Sequence, residues 1–206
     1  MLASELVEKM RLTKAALRAE VFGRLKKVTP EQRADWSREI QSRLFALPEF
    51  QKAQWVHFYI AVGHEVETPA MIEAAIREGK KVAVPVIRPR RAMILSELRD
   101  PERELVVGPL GVPQPKPSFI RPVPTARMDL FLLPGVAFDT NGRRLGRGAG
   151  YYDRLLHAVR RPLWALAFEN QIVPAVPVSK NDIRVGRIIT ESRLIDCNLS
   201  HGRTDH

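Results

Sequence analysis

The stretch Gly142-Arg143-Arg144-Leu145-Gly146-Arg147-Gly148-Ala149-Gly150-Tyr151-Tyr152-Asp153 sets three arginines and alternating glycines ahead of two tyrosines and an acid. Glycines let backbone N–H groups approach a phosphate closely, and a helix opening near Tyr151 would turn its positive end toward the same place. Arg143, Arg144 and Arg147 have the charge-assisted donors that phosphate oxygens accept. Tyr151 and Tyr152 offer an aromatic face with a polar tip, suited to a planar heterocycle. Asp153 has the hard oxygen that Mg²⁺ takes when it bridges phosphates. The glycine spacing matches neither the dinucleotide fingerprint nor the P-loop. A purely structural reading stands beside the chemical one. In it Asn141-Gly142 is a turn signal, the glycines permit a tight strand-to-helix connection, and Asp153 is a first-turn acid favouring the macrodipole.

The elements that must position this stretch alternate along the chain. Residues 4–28 carry Leu6, Met10, Leu17, Val21, Leu25 and Val28 as one helical stripe. Thr29-Pro30-Glu31-Gln32 reads as a capping box, with Trp36, Ile40, Leu44 and Leu47 as the inner face of a second helix. Strands are expected at 54–60, 81–86, 93–98, 128–133, 162–168 and 187–190, and helices at 68–79 and 151–160. The prolines between 99 and 127 read as breaking regular structure into a long surface excursion within a single domain spanning 1–206, and the polar end from 197 reads as frayed. Alternating strands and helices predict an α/β fold with a mostly parallel sheet covered on both faces. In such a sheet ligands bind at the carboxyl ends of strands, and the glycine–arginine stretch follows one of those ends.

Composition narrows the class. The chain has 206 residues, 45% of them hydrophobic, and 33 Lys and Arg against 23 Asp and Glu, for a net charge of +10. Such a charge suits nucleic acid, an anionic membrane surface or small polyanions, and equally a solvated basic surface. An RNA-binding module is one reading of the charge, but no recognition-module signature accompanies it. The single cysteine, Cys197, makes no intrachain disulfide. With no apolar run of membrane length and no secretory leader in view, the expectation is a cytoplasmic protein with no membrane partner and no nucleic-acid partner.

Residues 134–139 and 142–153 together closely resemble the signature of the 5-formyltetrahydrofolate cyclo-ligase family, the 5,10-methenyltetrahydrofolate synthetases. The resemblance extends to Lys14-Ala15-Ala16-Leu17-Arg18, Glu65-Val66-Glu67-Thr68, Ala165 to Gln171 and Asn181-Asp182-Ile183, in family order. It implies a Rossmann-like three-layer sandwich of the CoA-transferase-like kind. It also implies an enzyme that uses ATP as co-substrate, with Mg²⁺, to close 5-formyltetrahydrofolate to 5,10-methenyltetrahydrofolate through an iminophosphate. By matching positions, Lys14, Arg18, Arg144, Gly146, Arg147, Gly148, Gly150, Tyr151 and Tyr152 would contact ATP. Ile60, Glu65, Arg147, Gly148, Gly150 and Tyr151 would contact the folate. Asp153 and Asp182 would hold the metal, and Arg144, Arg147 and Tyr151 would be catalytic. Ala149 stands where some members have lysine and others a small residue. A monomer or weak homodimer is expected. A relative that kept this fold and changed its chemistry is the competing reading.

Overall fold

The structure, a computed structural model, describes residues 2–88, 92–179 and 182–197; for 2–12 and 110 it describes the backbone alone. The expected inward faces of Leu6 and Met10, together with Arg90, Arg91, Asn181 and the tail from 198, lie outside the described residues. In chain order come α1 (Leu2–Leu25), α2 (Pro30–Ala46), α3 (Pro48–Lys52), β1 (Trp55–His57), α4 (Pro69–Arg77), β2 (Lys81–Arg88) and β3 (Ala92–Leu98). Next are α5 (Pro101–Glu104), β4 (Leu105–Val107), β5 (Pro113–Pro115), β6 (Pro122–Val123), β7 (Leu130–Leu133), β8 (Ala137–Phe138) and β9 (Arg144–Leu145). The chain continues with α6 (Tyr151–Leu156), β10 (Leu163–Leu166), β11 (Arg187–Ile189) and β12 (Leu194–Asp196).

Local chemistry accounts for the boundaries. At the start of α2 the Thr29 side chain accepts from the Gln32 N–H and the Gln32 side chain accepts from the Thr29 N–H, a reciprocal capping box with Pro30 in the first turn. β7 is buried at all four residues, as a run of apolar side chains in the middle of a parallel sheet must be. Thr68 does not cap α4. Its hydroxyl donates to the Tyr59 carbonyl and accepts from the Ala61 N–H, tying the segment after β1 to the start of that helix.

One sheet runs β12-β11-β10-β7-β1-β2-β3-β6. From β11 to β2 every neighbour is parallel, while β12, β3 and β6 pair antiparallel at the edges. Side chains alternate between two cores. Val56, Val82, Val84, Leu130, Leu132 and Leu166 face Val21 and Leu25 of α1, Ile40 and Leu44 of α2, and Met71 and Ile72 of α4. Phe131, Leu133, Ala165 and Ile188 face Leu156 of α6 and Val185. Both faces are covered, the first by full helices and the second by a short helix and loops.

Three expectations need correction. The 99–127 excursion is not without regular structure. It contains α5, the β4–β5 hairpin and β6, whose residues pair at the sheet edge as Leu95↔Val123 and Ser96↔Pro122. Proline lacks a ladder donor, and an edge position asks for none. The helix at 151 stops at Leu156 rather than 160. The strand at 54–60 pairs only over Trp55–His57; residues 58–60 stay buried but leave the ladder.

Candidate active site

The topology fixes where a crevice opens. From β1 the chain crosses to β2 through α4 on one face; from β7 it crosses to β10 through α6 on the other. β1 and β7 are neighbours, so their connections part in opposite directions and leave a gap beyond their carboxyl ends, the switch point of a doubly wound sheet. A cavity of about 370 Å³ lies there. Every residue matched to a family site position lines this one cavity, from Lys14 to Asp182, whereas Arg143 does not.

The β8–β9 hairpin aims the arginines. Its turn is closed by Asp139, fully buried, which accepts from the N–H groups of Asn141, Arg143 and Val176. Arg144 therefore enters β9 pointing inward. Its guanidinium donates to Asp153 at 2.8 Å and to the Pro134 carbonyl at 3.2 Å, while its Nε is buried without a partner among the described residues. Arg143 does not join it, contrary to the sequence expectation. It turns back 3.9 Å from Asp139 and is not among the cavity-lining residues. The strand pairing of the hairpin sends alternate side chains to opposite sides, which separates these two adjacent arginines.

Arg147 spans the gap between the two connections. It donates to Glu65 at 3.0 Å and to the Val62 carbonyl at 2.7 Å, both in the segment after β1. Glu65 also accepts from the Val62 N–H. Burial raises the Glu65 carboxyl above its ordinary value, more than Arg147 and the Val62 N–H lower it. Gly148 and Gly150 have φ of 102° and 67°, a left-handed path that L side chains resist. Arg154 stacks on the Tyr151 ring at 5.4 Å and donates to the Ala149 carbonyl, holding that path closed. The Tyr152 ring lies between His57 at 5.6 Å and the Arg144 guanidinium at 5.8 Å. Its hydroxyl is buried with no partner among the described residues, and burial raises its phenol well above the usual value. With only six residues, α6 offers little macrodipole, so the arginines and lysine carry the positive charge of the cavity.

The far wall comes from α1. The Arg18 Nε donates to the Gly146 carbonyl at 2.9 Å, and Lys14 pairs with Asp182 and donates to the Ser179 hydroxyl. Asp182 also accepts from the Ser179 N–H. Asp153 and Asp182 thus each commit one oxygen to the protein, Oδ1 and Oδ2 respectively, and keep the other open among the described residues. No group of three or more His, Cys, Asp or Glu among the described residues could enclose a metal by itself. Two half-open carboxylates nevertheless suit Mg²⁺, which takes one or two carboxylates and completes its shell with phosphate oxygens and water. Ile60, buried, lines the cavity together with the apolar Ile87, Met93 and Val112. Those last three, and Ser179, were not assigned from the sequence. They come from a strand pair, a loop and a turn with no chemical signature of their own.

With the site in view, its relatives can be placed. The 5-formyltetrahydrofolate cyclo-ligase family matches residues 11–191. The chain is 34% identical over 176 residues to the 5-formyltetrahydrofolate cyclo-ligase of Escherichia coli K12, covering 83% of this chain and 96% of that one. It is 32% identical over 190 residues to the enzyme of that name from Mus musculus, covering 86% and 93%. The solved structure of Aquifex aeolicus 5,10-methenyltetrahydrofolate synthetase superposes with a TM-score of 0.81 at 30% identity, over 94% of this chain and 99% of that one. The chain belongs to the 5-formyltetrahydrofolate cyclo-ligase family.

Proposed function

We propose that the chain closes 5-formyltetrahydrofolate to 5,10-methenyltetrahydrofolate, consuming ATP with Mg²⁺ and releasing ADP and phosphate. The observation that carries this reading is the convergence, in one cavity of a family member, of four cationic side chains, two half-open carboxylates and an apolar wall. The chemistry asks for that set. A formamide oxygen is a poor leaving group, and moving the γ-phosphoryl of ATP onto it makes an iminophosphate whose carbon nitrogen 10 can attack. Phosphoryl transfer is mainly a matter of positioning and charge stabilisation.

In this reading Lys14 and Arg18 bring positive charge from α1 to the ATP phosphates, and the Gly146, Gly148 and Gly150 backbone lies beside them. Arg144, fixed by Asp153 and Pro134, and Arg147, half exposed and bonded to Glu65, flank the transferring group. Tyr151 orients the reacting atoms and Tyr152 supports Arg144 from below. Asp153 and Asp182 would hold Mg²⁺, which supplies charge neutralisation for the phosphates when bound. Ile60, Glu65, Arg147, Gly148, Gly150 and Tyr151 would meet the folate, with Ile87, Met93 and Val112 against its aromatic body. The same reading makes 1–206 one cyclo-ligase domain, acting in the cytoplasm as a monomer or weak homodimer on small molecules, with neither nucleic acid nor membrane as partner. No helix of the described residues is long and apolar enough to cross a membrane.

The test is the near-ultraviolet absorbance of purified protein mixed with 5-formyltetrahydrofolate, ATP and Mg²⁺. The methenyl chromophore should grow only when all three are present. A flat trace from folded, ATP-binding protein would sink the proposal in favour of a relative with altered substrate.

A further inference from the structure

Ring closure leaves one requirement that the phosphate-handling groups do not meet. Nitrogen 10 attacks as a secondary amine, so its proton must leave as the new C–N bond forms. The acidic side chains lining the cavity are Glu65, Asp153 and Asp182. Asp153 is held by Arg144, and Asp182 by Lys14 and Ser179. In the proposed reading both belong to the metal and the phosphates. The Tyr59 hydroxyl already donates to the Val66 carbonyl, and Tyr152 is a buried phenol that burial keeps protonated. Glu65 lies on the other wall, in the segment after β1 that also carries Ile60.

We infer that Glu65 is the group that takes the proton from nitrogen 10 during ring closure and passes it to the departing phosphate. This deepens the cyclo-ligase reading and rests on it. The step balances as follows. The lone pair of nitrogen 10 forms the bond to the formyl carbon. The N–H bond breaks, and its proton goes to the Glu65 carboxylate. The C–O bond then breaks with its electron pair leaving on phosphate, pushed by nitrogen 5, and the phosphate takes the proton back from Glu65. The enzyme returns to its starting state without an external acid or base.

The surroundings of Glu65 suit a base that is quiet until needed. The groups facing it are the Arg147 guanidinium, the Val62 N–H and the phenols of Tyr59 and Tyr152. Of these only Arg147 is cationic, and its side chain is 47% exposed, held by Glu65 and the Val62 carbonyl. While Arg147 stays, its charge offsets part of the effect of burial on Glu65. When the guanidinium turns to the transferred phosphoryl group, burial is no longer offset, and the carboxylate gains proton affinity as the amine begins its attack. Arrival of the phosphoryl group thereby arms the base.

The experiment is a single turnover followed by two signals, ADP formation and the methenyl chromophore, in wild type, Glu65→Gln and Glu65→Asp. Glutamine keeps the size and an acceptor for the Val62 N–H but takes no proton. The expected result for Glu65→Gln is ADP in at least stoichiometric amount with chromophore growth slowed on the order of 100-fold or more. Glu65→Asp should recover part of that rate. Wild-type kcat/KM should have an acid limb above the ordinary carboxylate range, and Glu65→Gln should lack it. Chromophore keeping pace with ADP in Glu65→Gln would overturn the inference and leave phosphate as the direct proton acceptor. Loss of both signals in that variant would also overturn it, by assigning Glu65 to a step before ring closure. Failure of the wild type to yield chromophore is a different result, because it removes the cyclo-ligase reading itself.

Discussion

Two clusters of arginine and carboxylate lie at different places on this sheet and are built in opposite ways. Beneath the β4–β5 hairpin, Arg121 forks onto Glu104 at 2.9 and 2.8 Å, Glu104 accepts from the Arg99 N–H, and the Arg99 side chain donates to Glu97 at 2.7 Å. These carboxylates are well supplied with donors. The fold holds Glu97 below its ordinary value, chiefly through the Arg99 hydrogen bond. Burial would raise Glu104, but its bonds from Arg121 and the Arg99 backbone outweigh that and lower it. The cavity cluster is left incomplete. The Arg144 Nε and the Tyr152 hydroxyl are buried without partners among the described residues, Asp153 and Asp182 each keep an oxygen open, and Glu65 is held above its ordinary value. A cluster that fastens an element satisfies itself. One that receives a ligand holds capacity in reserve, at a cost in stability to the empty protein.

The largest effect expected from breaking this contrast is catalytic. Asp153→Asn removes the charge that steadies Arg144 and, in the proposed reading, an oxygen for Mg²⁺. Turnover should fall by roughly 100- to 10,000-fold, while the thermal midpoint moves by only a few degrees, about 1 kcal/mol. Wild-type-like turnover in the purified variant would take Asp153 out of the mechanism. Lys14→Ala should act more mildly, raising KM for ATP on the order of 10-fold with a smaller change in kcat, as loss of one charge-assisted contact does. An unchanged ATP dependence, read from initial rates, would make Lys14 a structural partner of Asp182 only.

The smallest effect sharpens the contrast through stability. Because Glu97 and Glu104 are lowered by folding, their stabilisation is complete above the ordinary carboxylate value and is lost as pH falls through their folded values. Glu65 has the opposite sign: it favours folding below the ordinary value, and that contribution is lost as pH rises through its folded one. Near neutral pH, Glu104→Gln should therefore cost about 2 kcal/mol in denaturant unfolding. Glu65→Gln should leave stability unchanged or raise it by less than about 1 kcal/mol. A Glu65→Gln protein as destabilised as Glu104→Gln would erase the distinction between the clusters.

Much of the frame was legible because its signals are local. Thr29-Pro30-Glu31-Gln32 names its own cap, and the apolar run ending at Leu133 has the composition of a doubly buried strand. The edges were not legible. Pro113, Pro115 and Pro122 look like breakers in a sequence, yet they occupy edge or two-stranded positions where a missing N–H costs nothing. β12 pairs with β11 through only three residues, too few for a periodic signal. In the site, glycine spacing and charge suited a phosphate and a tight turn alike, and family resemblance supplied Lys14, Glu65 and Asp182. Neither could tell that Arg143 turns away while Arg144 is buried, because that depends on how the turn closed by Asp139 delivers the chain into the two-residue strand β9.

The Lys14–Asp182 pair joins residues 168 positions apart, and Arg18 meets Gly146 across 128. Contacts of such sequence separation close large loops and come late in folding. A nascent chain can therefore assemble its central strands well before it owns a complete site, and it gains that site only after the segment bearing Asp182 has been made. In the proposed reading, catalytic competence reports that synthesis has passed Asp182.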